Sequence, residues 1–155
     1  MKSYLIGVIS DTHGLFRPEV KNNLAGSNFI IHAGDIGSVE IISVLKTIAP
    51  VKAIRGNIDK EKWAEEFPES LELKFGSRKI FVIHNIKELN FNPEEKKFDI
   101  IISGHSHKAS IRKDNEILYL NPGSAGKRRL NLPVSIAKLQ IDQDKLSAEI
   151  IELKV

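Results

Sequence analysis

Residues 3–13 read SYLIGVISDTH, and the change of character at Ser10 decides how the rest of the chain is read. A short apolar run rich in branched side chains ends abruptly in Asp11, Thr12 and His13. That is the pattern of a parallel strand buried on both faces, with polar groups gathered at its carboxyl end. Residues 28–32, NFIIH, repeat it and run into Gly34-Asp35. Between them Phe16, Val20 and Leu24 stand four apart, which predicts a helix stopped by Gly26-Ser27. Residues 39–48 predict a second helix, with Ser38 as its N-cap and Pro50 just past its end. Residues 51–55 then read as a third strand. The resulting βαβαβ order, with right-handed crossovers, makes a parallel sheet whose loops collect at the carboxyl ends of the strands.

After Pro68 the pattern changes. Residues 71–75 and 78–84 read as strands joined by the turn Gly76-Ser77. Residues 100–103 form another short apolar strand, preceded by a polar segment with room for one helical turn. Residues 109–113 and 116–120 flank Asp114-Asn115, and residues 134–141 and 146–153 flank 142–145. Parallel strands first and antiparallel strands later predict one α/β domain over residues 1–155, without repeat or linker.

Composition narrows the chemistry. The chain has 155 residues, 41% hydrophobic and 28% charged, which excludes disorder, collagen and coiled coil. With 23 Lys plus Arg against 20 Asp plus Glu the net charge is +3, but the basic residues are interleaved with acids, as in PEEKKFD at 93–99. A stable nucleic-acid partner is therefore not expected. There is no Cys and there are five His. Thiolate zinc sites, iron–sulfur clusters and cysteine nucleophiles are excluded, so a metal site must use imidazole, carboxylate and amide oxygen. The six-residue apolar run at 4–9 is too short for a signal-peptide core, and no run approaches a membrane span. A cytoplasmic protein with no membrane partner is the expectation.

The predicted strands end in Asp11-Thr12-His13, Gly34-Asp35, Gly56-Asn57, His84-Asn85 and Gly104-His105-Ser106-His107. These ends offer seven metal-ligating groups: Asp11, His13, Asp35, Asn57, His84, His105 and His107. That exceeds what one ion needs once water is counted. It suits two ions sharing a carboxylate, as used to clamp attacking and leaving oxygens in phosphoester hydrolysis. Asp11 and His13, two apart, would point to one side of an extended chain. His105 and His107 have the same spacing, though a loop could turn them to different ions. Gly34, Gly56 and Gly104 each precede a candidate ligand, where a missing Cβ permits a bend and close approach. The mixed ligand set suits Mn, Fe, Co, Ni or Zn better than Mg or Ca, and Mn is placed first.

The ordered motifs ISDTHG, HAGDIG, RGNID, VIHN and SGHSH make the chain resemble the calcineurin-like metallophosphoesterase superfamily. The segment NPGS at 121–124, followed by Lys127, Arg128 and Arg129, is similar to that of the small YfcE-type phosphodiesterases. The resemblance implies a four-layer α/β/β/α sandwich. It also implies that Asp11, His13 and His107 hold one ion, that Asn57, His84 and His105 hold the other, and that Asp35 bridges them. A water activated by both ions would then hydrolyse a small phosphodiester substrate.

One departure stands out. Many members of the superfamily carry His after Gly-Asn, as a proton donor to the leaving group; this chain has Ile58, which cannot donate. Phosphodiesters, or esters with acidic leaving groups, are the expected substrates. Asp59 keeps an acidic position and either orients a ligand or N-caps a short helix over residues 60–67. His32, three residues before Asp35, is expected to be buried and hydrogen-bonded behind the site. Arg128 or Arg129 would contact phosphate if their loop folds over it. NPGS is either a tight turn or part of the pocket rim. Two other functions share these features: a non-catalytic interaction module like the retromer subunit of this fold, and a nuclease. Every ligand position keeps a ligand-capable residue, which favours catalysis, and 155 residues leave no room for a polymer-gripping domain. Self-association is left open.

Overall fold

The computed structural model describes residues 3–142 and 145–155; Gln143 and Asp144, the middle of the expected last turn, lie outside the described residues. The first sheet has the order β10-β9-β1-β2-β3. Its parallel centre is β1 (Tyr4–Ile9), β2 (Phe29–His32) and β3 (Val51–Ala53), and the hairpin of β9 (Ser135–Ile141) and β10 (Leu146–Glu152) adds to it antiparallel through β1. The second sheet has the order β4-β5-β6-β8-β7. In it β4 (Ser70–Phe75) pairs antiparallel with β5 (Arg78–Ile83), and β7 (Ser110–Asp114) with β8 (Ile117–Asn121).

Two differences from the sequence reading follow. The central strands β5, β6 (Ile100–Ile102) and β8 are mutually parallel, so the later half is not simply antiparallel. A strand run cannot announce the direction of a neighbour supplied by a distant segment. The third strand also stops at Ala53, leaving Ile54 and Arg55 to the loop that follows.

Period-two alternation divides the apolar residues between layers. Ile6, Val8 and Ile31 face inward against Ile80, Val82, Ile100 and Ile102 of the second sheet, forming the core between the sheets. Ile9 and Ile30 face outward against Val20 and Leu24 of α1 (Pro18–Leu24) and Ile41, Ile42 and Leu45 of α2 (Val39–Lys46). Burial on both faces is why β1 and β2 read as continuous apolar runs. Ser38 sits at the N-cap of α2, but its side chain makes no capping hydrogen bond. Outside the second sheet Ile101, Ile117 and Phe98 are covered by Phe81, Phe91 and Ile86. That fourth layer is thin: the helical turn expected before β6 is a series of turns over 93–97, and a 3-10 helix forms earlier, at Ile86–Glu88. The helix expected over 60–67 is a 3-10 helix, Lys62–Glu66, whose N-cap position is Glu61 and not Asp59.

Candidate metal centre

The carboxyl ends of the parallel strands in both sheets converge at one rim. Asp11 is completely buried at the end of β1. Its Oδ2 accepts hydrogen bonds from the Ser10 hydroxyl at 2.8 Å and the His105 backbone N–H at 3.1 Å. Its Oδ1 has no hydrogen-bond partner and faces Nε2 of His107 at 3.5 Å, His13 at 3.8 Å and His84 at 3.8 Å. Asp35, after β2, is divided in the same way. Its Oδ1 accepts from the Ile58 N–H, while Oδ2 lies 3.2 Å from His84 Nε2 and 3.5 Å from His13 Nε2.

His84, at the end of β5, is oriented as a ligand would be. Its Nδ1–H donates to the Ala33 carbonyl at 2.7 Å, leaving the Nε2 lone pair aimed at the carboxylates, buried and without a hydrogen bond. Asn57 Oδ1 and His105 Nδ1 lie 3.2 Å apart, and the His105 ring packs edge-on against His84. Two donors bound about 2.1 Å from one ion stand about 3.0–3.4 Å apart in octahedral or tetrahedral geometry, and the shorter separations here fall in or near that range. The groups Asp11, His13, His107 and Asp11, Asp35, His84 each bring three ligand atoms within 4.8 Å of one another. The rim therefore fits divalent cations, because buried carboxylate oxygens and an imidazole lone pair would otherwise face each other uncompensated.

Charge coupling points the same way. His13 is held above the usual imidazole range by its interaction with Asp11, with Asp35 adding to it. Burial pulls His84 down, but Asp35, the Ala33 carbonyl and Asp11 together more than offset this and leave it raised; burial pushes Asp35 up, but His84, the Ile58 N–H and His13 together outweigh it and leave that carboxyl below its ordinary value. His107 is lowered, chiefly by burial, and the charge of Arg129 contributes.

Asp11, His13, Asp35, His105 and His107 all have φ between 47° and 71°. Only four other described non-glycine residues have positive φ: Lys97, Asn115, Glu116 and Leu130. The extended geometry expected for Asp11 and His13 is therefore corrected. Each of these five candidate ligands sits in a left-handed kink, at a cost of about 1–3 kcal/mol each. Close approach explains Gly56, where a Cβ would overlap the Asp35 carboxylate and backbone. Gly34 needs both reasons, with φ +102° and the His84 ring against it.

The kinks are braced from behind. Asp59 does not cap a helix. It is 4% exposed and accepts three backbone N–H bonds, from Ile36 at 2.9 Å, Gly37 at 3.0 Å and Gly56 at 2.9 Å. It thus ties the Asp35 loop to the Asn57 loop. His32 is fully buried; its Nδ1 accepts from Gly34 N–H, so Nε2–H donates to Thr12 Oγ1, whose own proton goes to the Ile36 carbonyl. Burial depresses this imidazole to about 4, in keeping with a ring whose Nδ1 must stay unprotonated. Asn121 donates to the Gly104 carbonyl and the Ser106 hydroxyl, and Ser124 donates to the Asp11 carbonyl. NPGS is thus a brace behind two ligand loops. Sequence reasoning missed Ser10, Thr12, Asn121 and Ser124 in this role; the available signal was a polar residue beside a motif in an apolar setting. Lys127, Arg128 and Arg129 are exposed in the loop beyond.

A two-sheet sandwich with imidazoles and carboxylates converging at one rim is the arrangement of a metal-dependent phosphoesterase. Residues 4–144 match the Calcineurin-like phosphoesterase superfamily domain, and the chain belongs to that superfamily, whose members use divalent metals to hydrolyse phosphoric esters. It is 39% identical to a protein described as a probable metallophosphoesterase from Methanothermobacter thermautotrophicus, across 95% of this chain and 91% of that one. It is 26% identical to a phosphodiesterase of Methanocaldococcus jannaschii, across 76% and 82% of the two chains. The fold is also that of vacuolar protein sorting 29 from Cryptosporidium parvum, with a TM-score of 0.76, 21% identity and 99% of each chain covered.

Proposed function

We propose that residues 1–155 form a single-domain, dinuclear phosphodiesterase with a small phosphodiester substrate and a cytoplasmic location. Asp11, His13 and His107 hold one ion, Asn57, His84 and His105 the other, and Asp35 bridges them. The observation that carries this reading is the buried, unpartnered Asp11 Oδ1 facing the imidazoles, beside a His84 Nε2 that is buried and unpartnered as well. Asp35 Oδ2, within 3.5 Å of an imidazole from each set, supports its place as the shared carboxylate.

Bound there, two transition-metal ions, with Mn the first choice, supply Lewis acidity and an activated water for attack on phosphorus. The protein's own contribution is orientation. Ile58 N–H and the Asp59 carboxylate fix Asp35, and Ala33 fixes the His84 tautomer. Arg129, whose charge is felt at His107, adds positive potential on the phosphate side. The Ile58 side chain, 43% exposed, brings no proton donor to the rim, and general acid catalysis is worth roughly 10²- to 10⁴-fold. Esters whose leaving groups depart without protonation are therefore favoured. The experiment is Mn titration of chelator-treated protein, followed by a bis-aryl phosphate assay. Two equivalents bound and turnover abolished by Asp35→Ala and by His84→Ala are expected. Less than one equivalent bound with no turnover favours an interaction module, and oligonucleotide cleavage at a comparable rate favours a nuclease.

A further inference from the structure

Beside the His84 and His105 end of the rim lies a cleft of about 210 Å³. Its walls include Arg55, Asn57, Glu69, Asn85 and Glu88. We propose, building on the phosphodiesterase reading, that this cleft receives one alcohol substituent of the diester and selects a small hydroxylated or amino-bearing alcohol over a nucleoside.

Three features carry this. First, the lining holds no Phe, Tyr or Trp among the described residues, and its two imidazoles pack edge-on against each other at 81°. A nucleobase would find none of these large aromatic rings on which to stack, the contact that ordinarily holds bases without hydrogen-bond readout. Second, the cleft, at about 210 Å³, lies below the roughly 300–1,000 Å³ usual for ligand pockets, which suits a short alcohol chain better than the larger nucleoside.

Third, the polar groups are acceptor-rich. Arg55 is partly committed within the chain: its guanidinium donates to the Phe67 carbonyl at 2.5 Å and to Glu69 at 3.4 Å. The Asn85 side-chain Oδ1 accepts the Lys87 N–H, capping the 3-10 helix Ile86–Glu88, whose Glu88 lines the cleft. Glu88 has no ion-pair partner among the described residues. A carboxylate without an ion-pair partner in the wall of a small cleft attracts hydroxyl or ammonium donors and repels additional phosphate. Asn85 thereby shapes the cleft through the helix that it caps.

The test is steady-state kinetics of the Mn-loaded protein and its Glu88→Gln variant on glycerophosphoethanolamine, 2′,3′-cyclic AMP and bis(p-nitrophenyl) phosphate. By KM, the wild type is expected to prefer glycerophosphoethanolamine to the cyclic nucleotide, while the aryl diester, whose leaving group departs without protonation, keeps the higher kcat. Because the carboxylate is exposed, Glu88→Gln should lower the kcat/KM ratio of glycerophosphoethanolamine to the aryl diester by up to about fivefold, mainly through KM. Chemical-shift mapping of Zn-loaded protein titrated with glycerophosphoethanolamine should move the amides of residues 85–88. Preference for the cyclic nucleotide, an unchanged ratio in Glu88→Gln, or shifts confined to residues 127–130 overturns this inference alone. Hydrolysis of none of the three diesters overturns the phosphodiesterase reading, and this one with it.

Discussion

Replacing Asp59 separates a structural carboxylate from a catalytic one. Its two oxygens accept three backbone N–H bonds from the loops that carry Asp35 and Asn57, at a site 4% exposed to solvent. Asp59→Ala would leave three N–H groups unpaired in a confined space, each costing about 1–3 kcal/mol. Water reaching part of the gap brings the expected loss to about 4 kcal/mol. Asp59→Asn keeps the shape, and its single carbonyl oxygen can take the place of Oδ2 and hold Ile36 and Gly56. The amide group then faces the Gly37 N–H, donor against donor, and the negative charge is gone; about 2 kcal/mol is expected. Denaturant unfolding in the presence of chelator measures both.

The functional consequence is selective. Outer partners of ligands typically govern 10- to 100-fold in metal affinity. In a calorimetric Mn titration, Asp59→Asn should weaken the Asn57, His84, His105 equivalent by that amount, because the Gly56 N–H that Asp59 holds adjoins Asn57, and should weaken the Asp11, His13, His107 equivalent, which shares only Asp35, by no more than about threefold. A variant as stable as wild type, with both equivalents unaltered, would refute the reasoning. So would equal weakening of both, which would indicate a general loosening of the rim.

Three further outcomes are expected. Gly56→Ala should cost metal binding before it costs the fold, because its Cβ would displace the Asp35 carboxylate; Mn stoichiometry and circular dichroism on one sample separate the two. His32 is neutral in the folded state, with its value near 4 against 6.5 unfolded, so the unfolded chain binds more protons between those limits. Stability from this group is complete above pH 6.5 and falls by about 3 kcal/mol as pH drops to 4; wild type should lose that much more than His32→Gln across the window in chelator-treated urea unfolding. Finally, Ile58→His puts an imidazole on an exposed position beside Asp35. The ratio of alkyl- to aryl-ester hydrolysis should rise by at least tenfold, toward the roughly 10²-fold lower range of general acid catalysis; an unchanged ratio would remove Ile58 as the cause of substrate preference.

Much of the site was legible because strand ends in a parallel sheet are read in order. SDTH, GD, GN, H and GHSH each close an apolar run, so their convergence at one rim follows from topology before any distance is known. Ligand orientation was not legible. A spacing of two between Asp11 and His13 suggested extended chain, whereas both residues adopt positive φ, a state that local preference disfavours and only surrounding contacts sustain. Asp59 was open between cap and brace because both use the same carboxylate chemistry. Its three N–H donors come from positions 36, 37 and 56, and no local window contains them all.

The amino-acid sequence by itself determined the strand and helix periodicity of the first half, the nitrogen and oxygen character of the metal site, and the absence of a proton donor at Ile58. Each depends on residue identity or on neighbours a few positions away. Tertiary structure alone decided that the last hairpin extends the first sheet, that the later central strands run parallel, and which buried oxygens are left unpaired at the rim. Those properties belong to pairs of segments far apart in the chain, such as Tyr4 and Ile141 paired across β1 and β9, or the His105 N–H that with the Ser10 hydroxyl saturates one oxygen of Asp11 and leaves the other facing three imidazoles. Folding spends strain and desolvation to create that unsatisfied oxygen, and a cation bound at the rim repays it.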